Sequence, residues 1–231
     1  MASEQLEKPS PDIEKLREKY RGIVVKTLDK DPKWPEILKI GLGNSEGQLM
    51  IAGGYIYRPI SEFEYKIKTR RENGIIDVDF VAGQLSTKPY TLRNLGWRER
   101  RTKYGNPAFW NKQYCVVVSD LNSYPRPTLE DLIDNTPLDI QSIGIVIRRD
   151  EPFLGELIGN KGILAIHHKQ VKINNRIEAV YEIYKKIAHE AQLVVGSEEF
   201  NQYIKGFDME KILREFVEKK ASQLHFTPVF D

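Results

Sequence analysis

The 231-residue chain has one cysteine, Cys115, which excludes an intramolecular disulfide and any zinc site built from several thiolates. It lies in the apolar run Tyr114-Cys115-Val116-Val117-Val118 and reads as a small buried hydrophobe. Net charge is nearly missing as well: 35 lysines and arginines stand against 33 acids, a formal +2. No overall field demands nucleic acid or a membrane surface. No apolar stretch reaches the length of a membrane-spanning helix, and no charged-then-apolar start marks a signal peptide. Internal repeats, heptad arrays and low-complexity tracts are absent. With 29% charged and 10% aromatic residues, the composition is that of an ordinary folded protein. The expected compartment is a reducing cytoplasm.

What the chain does contain is a short strand with two carboxylates, Gly74-Ile75-Ile76-Asp77-Val78-Asp79-Phe80-Val81-Ala82-Gly83. Side chains alternate along a strand, so Asp77 and Asp79 share one face while Ile76, Val78 and Phe80 share the other. Holding two like charges side by side in an apolar setting is costly unless a positive partner compensates. A divalent cation is the usual one, and oxygen-only ligands favour Mg²⁺ or Mn²⁺. The alternative is a solvated strand face; the depletion of aspartate in strands and the apolar flanks weigh against it.

Upstream, Gln48-Leu49-Met50-Ile51-Ala52-Gly53-Gly54-Tyr55-Ile56-Tyr57-Arg58 reads as a strand breaking at a glycine pair. Paired glycines allow close approach of a phosphate, a helix start offers free N–H donors, and Arg58 adds a charge-assisted contact. Followed by the Asp-x-Asp strand, this resembles the active-site pattern of the DNA polymerase β-like nucleotidyltransferase superfamily. The matching residues are Gly53, Gly54, Arg58, Asp77, Asp79 and Phe80, with fainter matches at Lys103-Tyr104-Gly105-Asn106-Pro107 and Leu138-Asp139-Ile140-Gln141-Ser142-Ile143. The interval between the two motifs is long, and residues 59–73 are expected to hold a strand at Phe63-Glu64-Tyr65-Lys66-Ile67-Lys68 and a basic turn at Arg70 and Arg71.

The resemblance implies an α+β fold, a mixed sheet bearing the acids and flanked by helices, with a C-terminal helical portion. It implies a nucleotide-binding transferase that moves a nucleotidyl group from an NTP to an acceptor, a nucleic acid among the candidates, and releases pyrophosphate. Asp77 and Asp79 would hold magnesium or manganese, Gly53 and Gly54 would cradle the triphosphate, and Arg58 would clamp it. A third carboxylate belongs on a later strand. Asp120, at the end of the run from Tyr114, is the first candidate for this catalytic and metal role, although alternation puts it on the face of Val116 and Val118. A gapless reading puts Val117 or Val118 at that place, and Asp139 is the second candidate. With neither acid in reach, the chain would be a relative without turnover.

Other constellations compete. Ile158-Gly159-Asn160-Lys161-Gly162 resembles the backbone clamp of KH RNA-binding modules, which gives the alternative of a non-catalytic RNA-binding protein. Arg93, Arg98, Arg100, Arg101 and Lys103 interleave with Trp97 and Tyr104; cations neutralise phosphates and aromatics stack on bases, so Arg98, Arg101 and Lys103 are candidates for nucleic-acid contact. His167-His168 lacks a matching ligand cluster, and Gly41-Leu42-Gly43 lacks the context of a dinucleotide fold.

The pattern divides into an N-terminal helical segment (1–45), a nucleotidyltransferase-like α+β domain (46–174) and a C-terminal helical region (175–231). Ser10-Pro11-Asp12-Ile13-Glu14 has a helix-start composition for a helix running to about Leu28, and Thr128-Leu129-Glu130-Asp131-Leu132-Ile133 reads as a capped short helix. Asp139 to Ile147 reads as a strand. Ile177, Val180, Tyr181, Tyr184, Ile187, Ala188 and Ala191 recur at helical steps, as do Ile212, Leu213, Phe216 and Val217. This pair either closes the core or positions substrate behind the sheet.

Overall fold

In the computed structural model, which describes residues 11–71, 74–88, 96–102, 105–123 and 128–230, the chain opens on two helices. Asp12 accepts a hydrogen bond from the Lys15 N–H and caps α1 (Ile13–Leu28), whose Tyr20, Ile23, Val24 and Leu28 are buried. A proline in its first turn starts α2 (Trp34–Gly43). There follow β1 (Ser45–Ala52), α3 (Gly54–Tyr65), β2 (Ile76–Leu85), β3 (Arg98–Arg101), β4 (Pro107–Trp110), β5 (Tyr114–Asp120) and α4 (Leu129–Asp134). The last third holds β6 (Gly144–Ile147), β7 (Leu154–Ile158), α5 (Asn160–His168), β8 (Gln170–Val171), α6 (Arg176–Glu190), α7 (Glu198–Tyr203), α8 (Met209–Leu224) and β9 (Thr227–Pro228).

Seven strands form one mixed sheet in the order β3-β4-β5-β2-β1-β6-β7. The β2–β5 pair is parallel and the others are antiparallel. With helices on its faces this is the α+β architecture expected from the sequence. One face supplies the main core: Leu49, Ile51, Val78, Phe80, Val116 and Val118 pack into a cluster that extends from Tyr20 on α1 to Phe226 beyond α8. On the opposite face α4 brings Leu129 and Ile133 onto Met50, Val81 and Ile158. Among the described residues, no helix is long and apolar enough to cross a membrane.

One expected strand is replaced and another is shortened. Phe63 to Tyr65 belong to α3, because Ile56 and Ile60 recur at a helical step and are fully buried, and this packing overrides the strand preference of the aromatics. Lys66, in the left-handed region at φ 54°, ends that helix. Asp139–Gln141 form a 3₁₀ turn, so the strand expected from Asp139 begins at Gly144.

Candidate functional site

Alternation along β2 governs the site. Val78, Phe80 and Ala82 are buried in the main core, whereas Asp77 and Asp79 are exposed on the other face. That face continues into Val81, which α4 covers. The carboxylates lie on this face beyond the patch that α4 covers. Asp79 stands opposite Ala52 of β1 and beside Val117 of β5, and Asp77 stands beside Cys115. Asp79 keeps accessible surface but lies on the floor of a cleft. Desolvation there, then the Asp77 charge, then Glu182 on α6 push its carboxyl up to about 6. Cys115 is half-buried rather than buried, and burial followed by the two acids raises its thiol pKa, so it stays protonated.

The cleft encloses about 220 Å³, and its walls bring Arg58, Arg71, Lys186 and Lys220 to the two acids. Each cation is held by a different part of the chain. Gly53 turns β1 into α3 at φ 70°, ψ −138°, a conformation for glycine, with its N–H bound to the Ile143 carbonyl at 3.2 Å. The first turn of α3 then lines the cleft at Gly54 and Tyr55, and helix-start N–H groups carry partial positive charge. Asp31 fixes this turn to β5 by accepting from the hydroxyls of Tyr55 (3.0 Å) and Tyr114 (2.8 Å).

Arg58 lies one turn into α3 and donates to the Arg70 carbonyl at 2.6 Å. The Arg70 N–H in turn donates to the Gln223 carbonyl of α8 at 2.9 Å. This double tether holds the segment after α3 against α8 and delivers Arg71 to the cleft. Lys220 projects from α8 between Val217, Ala221 and Leu224, which anchor that helix in the main core. Lys186 comes from α6, with its ammonium 5.5 Å from the Phe216 ring centroid. A second cavity of about 110 Å³ shares Lys186 and Lys220 and adds Glu182 and Lys219. The combined space offers oxygen ligands on its floor and ammonium and guanidinium groups on its walls. Such a site suits a polyanion that brings a cation with it.

The remaining expected site residues fall elsewhere. Asp120 pairs with Ala82, on the face opposite Asp77 and Asp79, and its Oδ1 accepts from the Asn122 backbone and side chain. The structure thus does not bring Asp120 to the acid pair, because the strand's alternation points it away. Asp139 is buried, with one oxygen accepting from the N–H groups of Ile140 (2.7 Å) and Lys172 (3.0 Å). It ties the turn before β6 to β8. Gly53 shapes the turn but has already committed its N–H, and Gly54 and Tyr55 are the residues of this turn that line the cleft.

The KH-like turn is also accounted for within the fold. A Cβ on Gly159 would lie 2.1 Å from the Ser142 carbonyl oxygen, and one on Gly162 would lie 2.5 Å from the same atom. These glycines let the start of α5 press against the chain before β6. Lys161 donates to the Asp134 carbonyl and Asn160 accepts from Arg17. Arg98 and Arg101 are exposed on β3, but Arg101 donates to the Gly105 carbonyl. Trp97 is buried with its indole N–H bonded to Glu36 at 2.7 Å, so it offers no stacking surface. Lys103, Arg93 and Tyr104 lie outside the described residues. His167 and His168 are exposed at the end of α5.

Lys186 and Lys220 were not singled out from the sequence. Their signal is weak: each is the second of a lysine pair beside an apolar helix stripe, a pattern that solvated faces share.

No protein-family model and no curated protein matches the chain. Among solved structures it is similar to a CCA-adding enzyme in complex with CTP, at 13% identity and a TM-score of 0.45, over 90% of this chain and 50% of that one. It is similar to the second apo form of a CCA-adding enzyme at 14% identity and a TM-score of 0.42, over 92% and 49%. A tRNA-processing enzyme with CTP matches at 15% and a TM-score of 0.40, over 81% and 50%. The chain spans about half the length of these structures. At such identities no residue's role carries over to this chain.

Proposed function

We propose that the cleft binds a nucleoside triphosphate as its Mg²⁺ or Mn²⁺ complex and serves transfer of the nucleotidyl group to an acceptor hydroxyl. The observation that carries this reading is the meeting of Asp77 and Asp79 with Arg58, Arg71, Lys186 and Lys220 in one cleft. The donor set suits a hard cation. Two carboxylates at i and i+2 on one strand face have Cα atoms about 6.6 Å apart, and both offer only oxygen. A bound cation would neutralise phosphate oxygens and ease departure of pyrophosphate.

The four side-chain cations would take the remaining phosphate charge, and the N–H groups opening α3 would add directed donors. In the reaction so served, the acceptor oxygen bonds to the α-phosphorus. The bond from that phosphorus to the bridging oxygen breaks, pyrophosphate leaves with the electron pair, and the acceptor's proton passes to solvent or a base.

The test is thermal unfolding with Mn²⁺ and a non-hydrolysable NTP. A ligand at a hundred times its Kd should raise Tm by roughly 5–10 °C. Asp79→Ala should remove that rise while unfolding without ligand at least as late as the wild type, because the ionised carboxylate it removes is disfavoured there. An undiminished rise in the variant would take the acids out of the site.

A further inference from the structure

Among the described residues, the strand positions flanking the acid pair supply no third carboxylate. In the parallel register of β2 and β5, Asp77 faces Cys115 and Asp79 faces Val117, and across β1 Asp79 faces Ala52. Residues paired in register point to the same side of a sheet. Val117 and Cys115, both half-buried, are therefore the β5 side chains beside the acids. Asp120 points to the other face and Asp139 is held by two backbone N–H groups. Glu182, across the cleft on α6, is ion-paired with Lys185. Among the described residues, no group of three His, Cys, Asp or Glu side chains is arranged to hold a metal.

Charge makes this a constraint on occupancy. Two divalent cations working as a pair sit about 3.5–4 Å apart, and two carboxylates cancel only half their charge. Four more cations line the same cleft. With a triphosphate of about −4 bound, one divalent ion, the two carboxylates and the four cations are close to balance; a second ion leaves an uncompensated charge of about +2, and the residue beside Asp79 that could offset it is valine.

We propose that this cleft takes one divalent cation rather than two, so that the chain holds a nucleoside triphosphate as a single-metal complex and transfers its nucleotidyl group slowly. The proposal rests on the reading of the cleft as a triphosphate site. The acid pair serves the phosphate-bearing ion, and the acceptor hydroxyl has no second ion to lower its pKa. Val117 is the residue that sets this limit.

The test counts ions on the full chain. Mn²⁺ binding is followed by electron paramagnetic resonance at saturating α,β-methylene-ATP, for the wild type and for Val117→Asp. The expected result is one Mn²⁺ per wild-type chain and two per Val117→Asp chain, with transfer from an α-labelled NTP raised about a hundredfold in the variant. Two ions on the wild type would overturn the inference and leave the triphosphate reading standing. A folded Val117→Asp that still takes one ion would overturn the role given to Val117. No nucleotide-dependent Mn²⁺ binding at all would remove the triphosphate reading, and the inference with it. Position 117 is only partly exposed; should the variant not fold, the wild-type count decides alone.

Discussion

The Lys220 ammonium lies 3.4 Å from the hydroxyl oxygen of Tyr57, joining α8 to α3 across the wall of the cleft. Tyr57 is itself buried, so the lysine is held over the site instead of ranging through solvent. A pre-positioned cation loses little side-chain entropy when it meets a phosphate. Lys220→Ala and Lys186→Ala should each weaken binding of a metal–NTP complex about tenfold, the scale of one charge-assisted hydrogen bond. Titration calorimetry reads this directly. Affinities equal to wild type in both variants would remove the C-terminal helices from the site.

The Gly53–Gly54 pair divides into two roles with different outcomes. A Cβ on Gly53 would meet nothing within 4 Å, so its substitution is opposed by backbone conformation alone. Gly53→Ala should cost about 1–3 kcal/mol in urea unfolding. A Cβ on Gly54 would lie 3.5 Å from the Arg58 Nε, an ordinary contact. Gly54→Ala should fold with near-wild-type stability, and any defect it shows should appear in nucleotide affinity.

Gly162 gives the converse case. A Cβ there would press on the Ser142 carbonyl oxygen and the Ile143 side chain, so Gly162→Ala should destabilise the fold by about 1–3 kcal/mol or more. Asn160→Asp combined with Lys161→Asp should leave any RNA binding nearly unchanged. Strong loss of RNA binding in that double variant, with unaltered unfolding, would restore a clamp function to the turn.

These contrasts mark how far the sequence could be read. The Asp-x-Asp face was legible because strand alternation has a period of two and needs no knowledge of neighbours. The register of β5 against β2 is not written in either strand, so whether Asp120 or Val117 stands beside Asp79 could not be settled before the sheet was assembled. Trp97 reads as a stacking residue among arginines in the sequence, whereas in the fold Glu36, 61 positions upstream, accepts its N–H. Lys186 and Lys220 reach the acids from more than a hundred residues away. Nothing local distinguishes them from other helix-surface lysines.

Asp139 provides a pH test that is independent of nucleotide. Burial pushes its carboxyl up to about 6, against the opposing hydrogen bonds from the Lys172 and Ile140 N–H groups. The folded state therefore holds the proton more tightly than the unfolded chain, whose aspartate titrates at about 3.9. The stability from this protonated form is fully present below about pH 4 and is lost as pH rises through about 6. Asp139→Asn keeps an acceptor for both N–H groups and cannot ionise. Urea unfolding from pH 4 to 7 should show the variant gaining on the wild type by about 1–3 kcal/mol, with most of the change between pH 4 and 6. A constant difference across that range would contradict the assignment.

The most direct test of the central claim is a crystal structure of the chain with Mn²⁺ and a non-hydrolysable NTP. An anomalous peak at the manganese edge should lie within ligand distance of both Asp77 and Asp79, with the triphosphate against Lys186, Lys220, Arg58 and Arg71 and close to the Gly54 N–H. A nucleotide bound away from β2, or manganese bound without either carboxylate, would contradict the account.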